Sequence, residues 1–406
     1  MSLIVAFSKV ISALMLNKVL ALFVGPQGYA LIGQLQNIIT SATSIASAGV
    51  NTGIVKYTAE YGNDEKKQIK LWQTAGSIGL IGTFLVSISL ILCSKKISIF
   101  FFFSPDFAYL ITLTACFLIL YVVNTFLTSI VNGLKEVRMF AGINIANSIM
   151  SLMLTSLFAY YGGLKGALIA LATGQSLVAI ITILIIAKKK WLRINNFFGK
   201  IDRKIAIKLG VYGIVTLVTS LLAPFIQSIV RGIIIKNHGL EPAGYWDAMS
   251  RVSNTYLLII TFPLIAYFLP KISGATNNRD SRNFFFEGAR VLLPISILCS
   301  LCLYLLRNFV IRVLFSYKFL PMEELFAWQV IGDVFRVLCW LFSYYLIAKA
   351  YIKTFIIAEI SINLAILGLA YLVSKSSISH IPMIYCIANF SYFIVMAIYF
   401  KKKIFI

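Results

Sequence analysis

Residues 17–61 read NKVLALFVGPQGYALIGQLQNIITSATSIASAGVNTGIVKYTAEY, a stretch apolar enough to lie in a membrane that still carries Lys18, Gln34, Gln36, Asn37, Asn51, Lys56 and Glu60. Gly25-Pro26-Gln27-Gly28 breaks it in the middle, so it reads as two long helices folded back on each other, the second over 27–61. Polar groups at membrane depth are costly unless they face protein or a watery cavity. The hairpin is therefore expected to line such a cavity, with Gln34, Gln36 and Asn37 as contacts for a polar ligand.

Working outward, 60% of the 406 residues are hydrophobic and only 12% are charged, more apolar surface than a soluble fold of this length needs. The apolar runs recur at about the 20 residues that cross a bilayer, so the chain is expected to be an all-α, polytopic membrane protein. Twelve spans are read at 3–24, 27–61, 70–94, 105–133, 139–160, 164–187, 205–235, 242–270, 284–306, 321–349, 351–373 and 380–400, with Gly25-Pro26, Gly162-Gly163 and Pro242 marking breaks. Segment 307–320, RNFVIRVLFSYKFL, reads as a short amphipathic surface helix.

The formal charge of +22 would suit nucleic acid, but the cations cluster between apolar runs, as the positive-inside rule requires, and no nucleic-acid partner is expected. With the N-terminus inside, 22 Lys and Arg fall on the cytoplasmic side and 8 outside, which puts both termini in the cytoplasm. The N-terminus carries no basic leader region or cleavage site, so no signal peptide is expected. The longest basic segment, 188–208, divides the chain into an N-terminal six-helix lobe (1–190), a cytoplasmic linker (191–204) and a C-terminal six-helix lobe (205–406). Pro26-Gln27-Gly28-Tyr29 opens the second span and Pro242-Ala243-Gly244-Tyr245 the eighth, a short repeat at equivalent places in the two halves. Parallel repeats of this kind place a transporter's substrate between halves.

Six cations remain inside spans: Lys9, Lys18, Lys56, Arg231, Arg251 and Arg336. Asp247 and Arg251 are four residues apart, Asp333 and Arg336 three, and Lys56 and Glu60 four, spacings that let each couple pair on one helix face. Lys9, Lys18 and Arg231 have no acid at these spacings. Cations facing a cavity suit an anionic ligand, above all a phosphate, which Arg can grip with two parallel bonds. Glu359 is a further acid that could neutralise one of them. Span 10 adds a face of Phe326, Trp328, Gln329, Asp333, Arg336, Trp340 and Tyr344, where aromatics beside polar groups suit a sugar. No nucleophile triad or metal cluster stands out. His238 and His380 lie singly near span ends, and Cys299 and Cys302, in an apolar run, read as inert thiols. No catalytic site, metal or cofactor is expected.

The block GPQGYALIGQLQNIITSATSIASAGVNTGIVKYTAEY resembles the second-helix region of Wzx-type bacterial flippases for lipid-linked oligosaccharides, the O-antigen and enterobacterial common antigen translocases. AGYWDAMSRVSNTYLLIITFPLIAYFLPKIS resembles their eighth-helix region, and LFAWQVIGDVFRVLCWLFSYYLIAKA their tenth. The family belongs to the multidrug/oligosaccharidyl-lipid/polysaccharide exporter superfamily. The resemblance implies two six-helix lobes around a central cationic cavity and alternating access. It implies an undecaprenyl-pyrophosphate-linked glycan moved from the cytoplasmic to the periplasmic leaflet of the bacterial inner membrane, with membrane lipid, a polysaccharide polymerase and a chain-length regulator as partners. Lys9, Lys18, Gln34, Gln36, Asn37, Lys56, Arg231, Arg251, Trp328, Gln329 and Arg336 are the expected substrate contacts, and Glu60, Asp247, Asp333 and Glu359 the expected charge-pair or gating groups. A polymerase or ligase of the same pathway would need a large outer loop, and the outer segments here are short. A cation exporter would need acids where this chain has surplus cations. The richness in residues with A/T-rich codons (Ile, Lys, Asn, Phe and Tyr) favours an O-antigen unit over the common-antigen lipid as cargo.

Overall fold

The computed structural model describes residues 2–62, 64–264, 268–274, 278–373 and 375–403, with the backbone alone at 2–7, 9, 175, 259, 262, 263, 269, 270, 278, 279, 281 and 403. Among these residues there is no strand. The helices are α1 (Ser2–Phe23), α2 (Gly25–Ala46), α3 (Asn51–Tyr61), α4 (Glu65–Phe102), α5 (Ala108–Gly133), α6 (Val137–Ile186), α7 (Arg203–His238), α8 (Leu240–Pro263), α9 (Leu269–Gly274), α10 (Asn278–Leu305), α11 (Arg307–Leu314), α12 (Phe326–Ala348), α13 (Ile352–Val373) and α14 (His380–Lys403). With α2–α3 taken as one broken span and α6 as two helices, a helix stands at each of the twelve expected places among the described residues; eight of the helices, or nine with the bent α2–α3 pair, are long and apolar enough to cross a membrane.

The apolar surface faces outward. Leu92 is 79% exposed and Leu184 67%, whereas Gln34 and Asp333 are fully buried. That inversion of a soluble protein's pattern is what a lipid solvent demands, because lipid gives polar groups no partners. By internal contacts the chain gathers into two compact units, Met1–Val24 with Leu31–Ser228, and Gly25–Ala30 with Ile229–Ile406.

In the first unit the breaks follow local chemistry. The Asp64 carboxylate caps α4 by accepting from the Lys67 N–H at 3.1 Å, and the Lys67 ammonium 2.7 Å away holds that carboxyl below its usual range. α6 turns at Gly163, whose φ of 52° favours glycine, where Gly162-Gly163 predicts the break between two spans. The sequence reading of 27–61 as one helix is corrected. The chain leaves the helix at residues 47–50, with Ala48 at φ 49° and Gly49 at φ 63°, and α2 and α3 meet at a 47° bend. A side chain on Gly49 would run into the backbone of Gly213 on α7, so the bend is also a place of close helix approach.

The basic segment after α6 is ordered against α4. Gln73 Nε2 donates to the Asn195 carbonyl at 2.7 Å, Ser77 Oγ to the Gly199 carbonyl at 3.0 Å, and the Asp202 N–H to Thr74 Oγ1 at 3.2 Å. The Trp191 and Phe197 rings pack on Trp72, and a side chain on Gly76 would overlap the Phe197 carbonyl. The segment is a strap across α4.

In the second unit α12 is central, packed by α14, α10 and α8. Phe285, Phe342, Tyr345 and Phe400 close one end, with ring centroids 4.7–6.3 Å apart. α11 presents exposed Phe309 and Val313, as an amphipathic surface helix should. The residues after it do not stay on the surface. Phe315 and Phe319 are fully buried and stand edge-on to Tyr29 at 5.8 and 5.3 Å.

The repeat motif acquires a physical meaning here. Tyr245 also meets Phe319, at 6.2 Å, so the two tyrosines of the repeat share one ring. Gly244 lies against the Pro26 carbonyl, and any Cβ there would overlap that oxygen. Gly244→Ala is therefore expected to cost about 1–3 kcal/mol, the usual penalty of overpacking, and a thermal unfolding series in detergent measures it.

Candidate functional site

Two polar clusters lie inside the second unit. In the first, Arg231 of α7 and Arg251 of α8 share Asp247 of α8. Arg231 Nη2 bonds Asp247 Oδ1, and Arg251 Nε donates to Oδ2 at 2.8 Å. Arg231 is 2% and Asp247 4% exposed. Each guanidinium also lies over an aromatic face, Arg231 5.6 Å from the Trp246 ring and Arg251 5.1 Å from that of Tyr29. The expected Asp247–Arg251 couple is present. The reading of Arg231 as a cation without an acid is corrected: its partner lies 16 residues away on the next helix, a separation no single-helix spacing reveals. The three side chains together retain one surplus positive charge.

The second cluster centres on Asp333 of α12. Ser253 Oγ donates to Oδ2 at 2.5 Å and Tyr256 Oη at 2.8 Å, while Tyr385 Oη donates to Oδ1 at 2.9 Å and Gln329 Nε2 at 3.2 Å. The expected direct couple with Arg336 is replaced by a relay, because Arg336 Nη1 donates to Tyr385 Oη at 3.3 Å and to Asn254 Oδ1 at 3.3 Å. The Arg336 guanidinium covers the Trp340 ring at 5.0 Å. Glu359 accepts from Ser343 Oγ at 3.3 Å. Trp328, placed with these residues by the sequence, lies a quarter-turn off the Gln329–Asp333–Arg336 face and is 42% exposed.

The remaining expected residues lie in the first unit. Gln34 is fully buried and its amide donates to the carbonyls of Phe101 at 3.0 Å and Ser228 at 3.1 Å. Asn37 donates to Ser228 Oγ at 3.0 Å, and Gln36 is half-buried beside it. Lys56 is exposed. Rather than pairing with Glu60 it bonds the Tyr212 hydroxyl, because the Tyr212 and Tyr57 rings face its ammonium at 4.6 and 5.2 Å. Lys18 is half-buried. The Lys9 side chain lies outside the described residues.

Ser253, Tyr256, Tyr385 and Trp246 belong to these clusters without having been singled out in the sequence. Ser253 and Tyr256, three residues apart, share one face of α8, but that spacing does not point to Asp333 on another helix. Tyr385, on α14, carried no signal.

A fold of this kind with such polar clusters can be compared with known proteins. The polysaccharide biosynthesis protein family matches residues 2–274, two thirds of the sequence. The chain belongs to that family. A lipid III flippase of Escherichia coli (strain K12) is 29% identical over 361 residues, covering 87% of this chain and 85% of the relative. Among solved structures, an inward-facing multidrug resistance MATE family transporter of the MOP superfamily aligns with a TM-score of 0.81 at 14% identity, covering 98% of this chain and 94% of that one. The lipid II flippase MurJ in an inward closed conformation aligns at 0.74 and 17% identity, over 98% and 87%. At these identities the structural likeness establishes the fold alone, and the apolar helices make the chain a multi-pass helical membrane protein.

Proposed function

We propose that the protein is a flippase that carries a lipid-linked glycan across a membrane. The observation that carries this reading is the 29% identity to a lipid III flippase over nearly the whole of both chains. The chemistry agrees with it: the membrane-spanning part holds a surplus of cations, which would lower the cost of moving a pyrophosphate, while its sugars need amide and hydroxyl partners. The carrier is undecaprenyl pyrophosphate, the membrane is the bacterial inner membrane with both termini cytoplasmic, and the lobes 1–190 and 205–406, joined by 191–204, exchange access between leaflets. Arg251, Arg336, Lys18, Lys56 and Lys9 meet the pyrophosphate, and Gln34, Gln36, Asn37, Trp328 and Gln329 meet sugars. Glu60, Asp247, Asp333 and Glu359 exchange partners as the protein changes state. Polymerase and chain-length regulator act on the delivered product.

The A/T-rich residue usage favours an O-antigen unit as cargo. The sequence relative favours a second reading, the common-antigen lipid. Complementation of strains lacking one or the other flippase, with surface glycan as the readout, separates them. Loss of this protein should trap lipid-linked glycan in the cytoplasmic leaflet, and delivery at the normal rate without it would sink the reading. In the same strains Arg336→Ala should lower surface glycan by about ten-fold, the size of one lost charge-assisted bond, with protein levels unchanged and partial rescue by Arg336→Lys.

A further inference from the structure

A cavity of about 660 Å³ lies inside the first unit, between α1, α3, α5 and α6. Its volume falls in the range of about 300–1,000 Å³ typical of small-molecule sites. Five asparagines line it: Asn51 of α3, Asn124 and Asn132 of α5, and Asn144 and Asn147 of α6. Serine and threonine hydroxyls fill the spaces between them, and no Asp, Glu, Lys or Arg is among the described lining residues. Asn144, Asn147, Ser148 and Ser151 recur at helix spacing, so α6 turns one continuous polar stripe into the cavity.

Helix packing alone does not require this much polarity. One interhelical bond is evident, Thr182 Oγ1 donating to Asn124 Oδ1 at 2.7 Å, with Asn147 Oδ1 at 3.4 Å. The hydroxyls of Ser129 and Ser148 donate to carbonyls of their own helices, which leaves their oxygens facing the cavity as acceptors. Each asparagine amide carries two N–H donors and an acceptor oxygen, of which only part is used: Asn144 Nδ2 donates to the Phe140 carbonyl at 2.8 Å, and the Asn124 and Asn147 oxygens accept from Thr182. A wall that both donates and accepts, carries no charge among its described residues and includes one aromatic ring, Phe140, is matched to a neutral sugar: hydroxyls around the rim and an apolar face for the ring. Its described residues lack the opposite charge that favours a pyrophosphate or a divalent cation.

We infer that this cavity is a subsite for a neutral sugar residue of the transported glycan, separate from the cationic groups that meet the pyrophosphate. The inference rests on the flippase reading for the identity of the ligand, and the test separates the two. The full chain in nanodiscs is titrated with two probes, an undecaprenyl-pyrophosphate-linked oligosaccharide extracted from the source strain and undecaprenyl pyrophosphate without sugars. Asn51→Ala/Asn132→Ala removes two amides that make no side-chain hydrogen bond among the described residues. It should weaken binding of the glycan-bearing probe by about ten-fold or more and change binding of the bare lipid less than two-fold, which also reports that the variant is folded. Equal losses on both probes, or no loss on either, overturn the subsite while leaving the flippase reading standing. Wild-type protein that binds neither probe overturns the flippase reading itself, and the subsite with it. If the double variant does not reach the membrane, Asn144→Leu, which changes one wall, is measured in the same way against the same outcomes.

Discussion

Asp247→Ala is expected to destabilise the protein by about 3–5 kcal/mol, the cost of leaving buried charge without its partner. Asp247 is bonded to both Arg231 and Arg251, and at 4% exposure it is held away from water. Its removal would set two guanidinium groups against each other between Trp246 and Tyr29. Arg231→Met should cost much less, because Asp247 keeps Arg251. Thermal unfolding midpoints in detergent and the amount of folded protein in membranes distinguish the two variants. Equal losses would show that Asp247 does not bridge the pair. Asp247→Asn belongs between them, since it keeps two polar atoms and loses the charge.

Asp333→Leu should be the second most damaging change. Ser253, Tyr256, Tyr385 and Gln329 all donate to this carboxylate. Each buried donor left without an acceptor costs about 1–3 kcal/mol, so a total loss of about 3 kcal/mol or more is expected. Asp333→Asn keeps one acceptor oxygen but turns an NH₂ group toward donors, and should fall partway. The same unfolding measurement applies, with surface glycan as a second readout. A fully stable Leu variant would mean that the three helices contributing these donors hold together without the carboxylate.

These clusters mark where the sequence stopped being sufficient. The spans were legible because hydropathy and Gly–Pro breaks are local, and the turn at Gly163 fell where Gly162-Gly163 put it. Asp247–Arg251 was legible because four residues is a helix repeat. Arg231–Asp247 was not, because α7 and α8 bring together residues whose separation has no period. Arg336 and Asp333 were correctly set on one face, but Tyr385 from another helix stands between them. The bend at residues 47–50 lacks proline, and only Gly49, with its positive φ, hinted at it. The asparagine stripe of α6 had a readable spacing.

The strap after α6 has an optical consequence. Trp72 and Trp191 hold their ring centroids 5.8 Å apart, with the planes inclined by 57°. Two indoles so close and so oriented couple their excited states and give a paired signal in near-ultraviolet circular dichroism. Only three other tryptophans compete with it. The chain thus carries a native gauge of whether the segment after α6 is docked on α4, which can be read in purified protein with no dye attached and no cysteine introduced.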